Sequence, residues 1–392
     1  MKICMLRHAY FPDDPRDRKQ AFSLAEAGHT VDVLCLKKDD QTTHENIKGV
    51  SVYRIPITHK REGVVRYFGE YALSFLMMTA TILTLFIVKR YDCIQVSTMP
   101  DFLVFTTIIP KIFRAKVLLD LHEPTPELWI TKYGAKRLRW LLFLQIRMEQ
   151  LSIQYADHCL TVTETLRRRF GERGATIEKI TVIPNVCEEE TFNYDSSIKN
   201  SVSDGVFRLI THGLIEERYG LEVVIRAVNY LRERLQNLQF EILGDGEYKP
   251  SVVRVVHELG CEDQVHLLGF VPINELLQRL RAAHVAVVAM KRSPYSELVD
   301  TNKMYEYIVL RKPIIISRLP AVEENFDDSC VMFFEPGNHE DLGRCIVALY
   351  RDPQKRRELA ENAYRRYEKM RWGETKKTYL KVIEDLVART TK

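Results

Sequence analysis

Four stretches of this 392-residue chain set residues able to bind ribose or phosphate beside a turn or a helix start. In Thr301 to Ser317, TNKMYEYIVLRKPIIIS, Glu306 is a lone carboxylate on a short helix that leads into a strand. A carboxylate can accept hydrogen bonds from both hydroxyls of a ribose, and a helix beginning near Thr301 and Asn302 offers free backbone N–H groups to phosphate oxygens. In THGLIEERYGLEVVIRA, Gly213 permits a close backbone approach and Arg218 supplies a fixed positive charge just before a helix near Gly220. FEILGDGEY holds Gly244 and Gly246 around Asp245, a pattern that suits either a phosphate loop or a tight turn. His122 follows the apolar run KVLLDL, where a side chain emerges at a strand end between Asp120 and Glu123. That place favours chemistry over a satisfied core histidine.

Weaker candidates surround these. The loop after the first strand, FPDDPRDRK, brings Arg16 and Arg18 to a position for phosphate or acceptor contact, or else forms a solvated turn capping the next helix. Glu123 and Glu127 are candidates for acceptor contact. Thr163 either faces a ligand or simply caps a helix, and Asn185 is a turn residue or a domain-junction contact.

The elements that must position these residues follow an alternating pattern. From Lys2 to Asn185 the apolar runs KICMLRH, TVDVLCL, VSVYRIPI, CIQVST, KVLLDLH, HCLTVT and ITVIPN alternate with helical periodicity. This is the signature of a parallel sheet covered on both faces by helices. A polar stretch interrupts it, and FRLITHG, FEILGDG, VHLLGFV, VAVVAM, PIIIS and CVMFFEP then repeat it. The expected organisation is therefore an α/β chain with two doubly wound Rossmann-like domains, 1–190 and 205–370. A linker at 191–204 joins them, a helix at 371–392 packs back on the first, and the active site lies in the cleft at the strand ends.

Composition narrows the class. Charged residues are 28% and hydrophobic residues 46%, as in a soluble globular enzyme, and a net charge of +4 does not mark a nucleic-acid binder. Eight cysteines without a C-x-x-C pair or an accompanying His cluster read as buried thiols in a reducing cytosol, with no metal site. Met1 leads into a strand rather than a secretory leader. Tyr71 to Val88 carries no charge over eighteen residues, but three threonines and Ser74 dilute it, and strand runs flank it on both sides. It is read as a helix buried in the domain or lying on a membrane surface. Lys60, Arg61, Arg66, Tyr67, Phe68, Lys89 and Arg90 flank it, and KRLRWLLFLQIR from Lys136 to Arg147 repeats the basic and aromatic mix. That mix fits either an anionic membrane interface or two core helices with solvated basic edges.

Taken in order, these motifs resemble the family 4 retaining glycosyltransferases of the GT-B fold, of the kind that builds bacterial cell-surface polysaccharide. Lys303, Glu306, Tyr307, Lys312 and Pro313 fit that family's K-[LM]-[FY]-E-Y run and the K-P that follows. The resemblance implies transfer of a hexosyl group from a nucleotide-diphosphate sugar to an acceptor hydroxyl, with retention and without a metal or other cofactor. It implies that Arg218 and Lys303 meet the charge of the departing diphosphate and that His122 contacts the transferred sugar. Gly213, Gly244, Gly246, Thr301, Asn302 and Glu306 would complete the donor site, with Arg16 and Glu123 toward a lipid-linked or glycan acceptor. The implied location is the cytoplasm, peripherally on the inner face of the plasma membrane. The sequence departs from the family in three places. Its first loop lacks the adjacent glycines, Leu214 and Tyr219 replace the usual Arg and Lys, and Leu298 stands where the first of two glutamates belongs, leaving Glu297, Asp300 or backbone N–H groups to serve. A non-catalytic nucleotide-sugar-binding protein and a sugar-nucleotide epimerase are the alternatives. A dehydrogenase would need a G-x-G-x-x-G after the first strand of either domain.

Overall fold

A computed structural model describes residues 1–57, 64–134, 139–193 and 204–388. The chain divides into two compact units, Met1–Asn185 with Gly373–Lys392, and Val186–Trp372. Lys60, Arg61, Lys136 and Arg137, the side chains of Arg66, Tyr67 and Phe68, and most of the expected linker lie outside the described residues.

The first unit is built on strands β1 (Lys2–Tyr10), β2 (Thr30–Leu36), β3 (His44–Ile47), β4 (Val50–Ile55), β5 (Cys93–Ser97), β6 (Lys116–Leu121), β7 (His158–Thr161) and β8 (Ile180–Val182). Their spatial order is β3-β4-β2-β1-β5-β6-β7-β8, parallel throughout except for β3. Each expected apolar run became a strand. The exception is β3, whose sequence HENI has no apolar signature. It pairs antiparallel with β4 through a two-residue loop, Lys48 and Gly49, both at positive φ (49° and 85°). Such a loop matches the twist of a hairpin, so the turn rather than the strand carries the local information. The helix Trp372–Ala388 belongs to this unit: its Tyr379 hydroxyl is buried and donates to Gln95 Oε1 at 2.7 Å.

The second unit holds β9 (Phe207–His212), β10 (Leu238–Leu243), β11 (Val265–Gly269), β12 (Val285–Val288), β13 (Ile314–Ser317) and β14 (Met332–Phe334). They form one parallel sheet in the order β11-β10-β9-β12-β13-β14. Successive residues serve opposite faces. Val285, Val287 and Ile315 join one apolar core, while Ala286, Val288, Ile314 and Ile316 join the other. Strands buried on both faces are apolar at nearly every position, which is why VAVV and IIIS read as almost unbroken runs. The strand order reverses between β9 and β12 here, and between β1 and β5 in the first unit. Loops leaving the carboxyl ends at such a reversal diverge and leave room for a ligand. All eight cysteines are buried and none forms a disulfide.

Candidate functional site

In the second unit the residues singled out from sequence gather at the carboxyl ends of β9 and β12. The helix Asn302–Val309 starts after Thr301, whose extended backbone begins the helix but whose side chain makes no capping hydrogen bond. The first turn thus keeps N–H groups unclaimed by a side-chain cap. Glu306, one turn in, points back to the end of β9. There His212 Nε2 lies 2.6 Å from Glu306 Oε2. His212 Nδ1 lies 2.9 Å from the Tyr307 hydroxyl oxygen, which also accepts the His212 backbone N–H at 3.0 Å. With that N–H filling an acceptor position of the phenol, its proton is directed at Nδ1, which leaves Nε2 to donate to Glu306. One carboxylate oxygen is therefore fixed by the protein and the other remains for a ligand hydroxyl.

Lys303 is buried one turn before Glu306, with its ammonium 3.9 Å from the centre of the Tyr219 ring. Burial pushes its pKa down to about 8, with Arg218 adding to the shift and Glu306 and Glu216 opposing it. A Cβ on Gly213 would come within 3.4 Å of the Lys303 Nζ, so the glycine leaves that ammonium its space. Arg218 lies over the rings of Tyr219 and Tyr295, at 5.3 and 5.0 Å, and its Nε is 2.6 Å from Glu216 Oε2. Two cations beside one aromatic ring, with a helix start nearby, make a centre of positive potential suited to a diphosphate.

The glycines of the G-x-G find a different explanation from the one the resemblance implies. A Cβ on Gly244 would fall 1.9 Å from the Gly213 carbonyl oxygen, and one on Gly246 would fall 2.2 Å from that of Ile215. Gly213 N–H donates to Leu243 O, Ile215 N–H to Asp245 O, and Gly244 N–H to Gly269 O. The loops after β9, β10 and β11 are zipped backbone to backbone. Gly244 and Gly246 are required by that contact.

In the first unit, His122 sits just after β6. Its Nε2 is 3.1 Å from Asp120 Oδ2 and its Nδ1 is 3.4 Å from Arg7 Nη1. Its backbone N–H donates to Thr98 Oγ1 at 3.1 Å. The imidazole is buried and held on both sides by charged partners. Arg7 in turn pairs with Asp14 at 2.8 Å and with Asp17, and Asp14 caps the helix Pro15–Glu26. Glu123, the next residue, is half-buried.

Arg16 requires a correction. It is neither an acceptor contact nor part of a solvated turn. Its Nε and Nη2 grip the two oxygens of Asp120 at 3.0 and 2.8 Å, and Nη1 donates to the Ile183 carbonyl and to Asn185 Oδ1. A guanidinium so engaged in the interior has little left for a ligand. Although burial opposes ionisation, Arg16 and His122 hold the Asp120 carboxyl well below the usual range. Glu127 is likewise consumed, in a buried pair with Arg173, which also binds Glu149 at 2.8 Å. Thr163 caps its helix through the Leu166 N–H, and Arg18 holds the Pro12 carbonyl.

Of the substitutes for the missing first glutamate, Asp300 is buried against the Tyr305 hydroxyl at 2.5 Å, and burial raises its pKa to about 7. Glu297 is partly exposed and lies 3.5 Å from Arg292. Lys312 is buried against the Arg281 and Ala283 carbonyls at a helix end, so this part of the motif is architectural. Sequence reasoning missed His212 and Arg7. His212 was legible as a histidine ending the strand that opens the second domain, but its partner is 94 residues away. Among the described residues no group of three His, Cys, Asp or Glu converges as metal ligands do.

Comparison with known proteins gives the family and the fold. Residues 18–186 match the family described as Glycosyl transferase 4-like domain, and residues 195–366 match Glycosyl transferases group 1. Alpha-D-kanosaminyltransferase of Streptomyces kanamyceticus is 27% identical over 152 residues, 38% of this chain and 38% of that protein. D-inositol 3-phosphate glycosyltransferase of Pseudarthrobacter chlorophenolicus is 26% identical over 211 residues, 52% of this chain and 49% of that one. The aligned part thus spans about half or less of these relatives. Among solved structures, sucrose-phosphate synthase from Thermosynechococcus elongatus superposes with a TM-score of 0.79 at 16% identity, covering 99% of this chain and all of the other. Anabaena HepE in complex with UDP gives 0.73 at 15% identity, covering 98% and 100%. At such identity the likeness is one of fold, and that fold is GT-B.

Proposed function

The chain belongs to the GT-B glycosyltransferases, and on that footing we propose that it moves a hexosyl group from a nucleotide-diphosphate sugar to an acceptor hydroxyl with retention of configuration. The observation that carries this reading is the joining of Glu306, Lys303 and Arg218 at the β9–β12 reversal, with Glu306 fixed by His212. In this reading the ribose hydroxyls bind the free oxygen of Glu306. The diphosphate lies against Lys303, Arg218 and the N–H groups of Asn302 and Lys303. These charges are in place before reaction and favour the leaving diphosphate as its negative charge grows. The binding of UDP and of UDP-glucose by Anabaena HepE, a protein of the same fold, supports a nucleotide-sugar donor.

His122, positioned by Asp120 and Arg7, is assigned to the transferred sugar, and Glu123 to the acceptor. The acceptor we propose is a lipid-linked glycan of cell-surface polysaccharide, met on the cytoplasmic side of the membrane. A thermal-shift panel of nucleoside diphosphates tests the donor half. One diphosphate should raise the melting temperature of the native protein and leave Glu306→Ala unmoved; no stabilisation by any member would oppose the proposal.

A further inference from the structure

The helix Val64–Lys89 has two unlike faces. Ser74, Met78, Ile82 and Phe86, spaced four apart, are buried against the first unit, and Ser74 Oγ lies 2.9 Å from His8 Nε2. The opposite face should be polar if it met only water. Instead Leu76 is 65% and Val88 77% exposed, and over Gly69–Lys89 the mean hydropathy reaches 2.1 with only 22% buried. The threonines that dilute this stretch in sequence present little polarity. Thr79, Thr81 and Thr84 turn their hydroxyls back onto the carbonyls of Phe75, Met77 and Ala80, at 2.6, 2.8 and 2.9 Å. A hydroxyl bonded four residues back along its own helix suits an apolar surrounding.

Two neighbouring segments extend the apolar face. The short helix Ile108–Ile112 packs beside it and exposes Ile112 (72%) and Phe113 (62%). The helix Arg139–Tyr155, packed on the turn Asp101–Thr107 that touches both, exposes Trp140 (60%), Phe143 and Leu144. Across residues 71–90, 102–116 and 139–151 the sequence places seven cations, Lys89, Arg90, Lys111, Arg114, Lys116, Arg139 and Arg147. The single carboxylate within these segments, Glu149, is buried against Arg173, while Lys89 and Lys111 are paired with Asp32 and Asp157 from elsewhere in the unit, at 2.6 and 3.2 Å. The guanidinium groups of Arg90 and Arg147 lie over the rings of Phe86 and Phe143, at 5.8 and 5.2 Å, which sets positive charge directly against the aromatic side chains.

We propose that this face of the first unit seats on an anionic lipid bilayer, with the helix Val64–Lys89 lying in the interface rather than crossing it. Crossing would strip Met78, Ile82 and Phe86 from the core they fill. The cations select the occupant. A second copy of the chain would bring like charges against one another, whereas an anionic surface attracts each of Arg90, Arg114, Lys116, Arg139 and Arg147 by roughly 1 kcal/mol. An interfacial apolar helix with basic flanks is the arrangement that binds such surfaces.

The test is co-sedimentation of the full chain with phosphatidylcholine vesicles with and without 30% phosphatidylglycerol, at 50 and 500 mM salt, beside light scattering of the free protein. The expected result is binding to the anionic vesicles that weakens at least tenfold at high salt. Ile112→Glu with Phe143→Glu should abolish it, and Arg114→Glu with Arg147→Glu should reduce it several-fold. Circular dichroism and melting temperature would verify that the variants fold. Absence of vesicle binding would overturn the proposal, as would equal binding to neutral vesicles or a stable dimer lost in Ile112→Glu. None of these outcomes bears on sugar transfer, which a soluble acceptor analogue reports separately.

Discussion

Replacing Glu306 or His212 should change what the protein reads in a nucleotide before it changes anything else. In the proposed site Glu306 would offer one oxygen to a ribose, the other being bonded by His212 Nε2 at 2.6 Å. Removing the carboxylate in Glu306→Ala deletes a charge-assisted bond, a loss of about 1.5–3 kcal/mol, or roughly ten- to a hundredfold in Kd. His212→Ala leaves the carboxylate but frees its rotamer and severs the Tyr307 link, so the expected loss is about 0.5–1.5 kcal/mol, or roughly two- to tenfold. The informative quantity is the ratio of affinities for a nucleoside diphosphate and its 2′-deoxy analogue, measured by titration calorimetry. It should be large in the native protein, near one in Glu306→Ala, and intermediate in His212→Ala. An unchanged ratio in Glu306→Ala would refute ribose recognition altogether. A collapse there without any change in His212→Ala would refute only the positioning role of the histidine.

Lys303, with its pKa lowered to about 8 by burial, is charged at neutral pH and loses its proton as pH rises through that value. Diphosphate affinity should therefore fall above pH 8 by up to about tenfold per pH unit, and a flat profile to pH 9.5 would remove Lys303 from the site. Arg16→Ala leaves Asp120 buried without its main counter-ion and should cost about 3–5 kcal/mol of stability, seen as a lowered melting temperature; a selective rise in acceptor KM with stability intact would restore Arg16 as a ligand contact. His122→Ala should depress kcat far more than it weakens binding of the bare nucleoside diphosphate, and equal losses would mark a structural histidine. Gly244→Ala sets a methyl group 1.9 Å from the Gly213 carbonyl and should destabilise by about 3 kcal/mol or more, whether or not ligand is present.

Much of the fold was legible because a strand covered on both faces is apolar at nearly every position, and runs such as KVLLDL and VAVV have few other uses. β3 was not, since HENI is polar and only the Lys48–Gly49 turn marks it. Charge type and position singled out Glu306, Lys303 and Arg218, but His212 beside Glu306, Tyr219 beside Lys303 and Tyr295 beside Arg218 come from far along the chain. The same distance hid the fate of Arg16, whose clasp on Asp120 spans 104 residues and turns an apparent surface arginine into an interior one. For Gly244 and Gly246 the pattern suited a phosphate loop or a tight turn, and the close approach emerges only in the fold. Which chain approaches, a ligand or the Gly213–Ile215 backbone, depends on three loops meeting, and local sequence does not encode that. The apolar face fared similarly: the stretch 71–88 stood out at once, while Ile112 and Phe113 became part of it only through packing.

The central claim is transfer of a sugar from a nucleotide donor. Its most direct test incubates the purified chain with a panel of nucleotide-diphosphate sugars, with water or a lipid-linked glycan as acceptor, and follows the anomeric proton by NMR. One donor should be consumed, releasing its nucleoside diphosphate and a sugar of unchanged anomeric configuration, and Glu306→Ala should be nearly inert. A donor bound but never consumed, a sugar epimerised while still attached to its nucleotide, or a product of inverted configuration would each contradict the account.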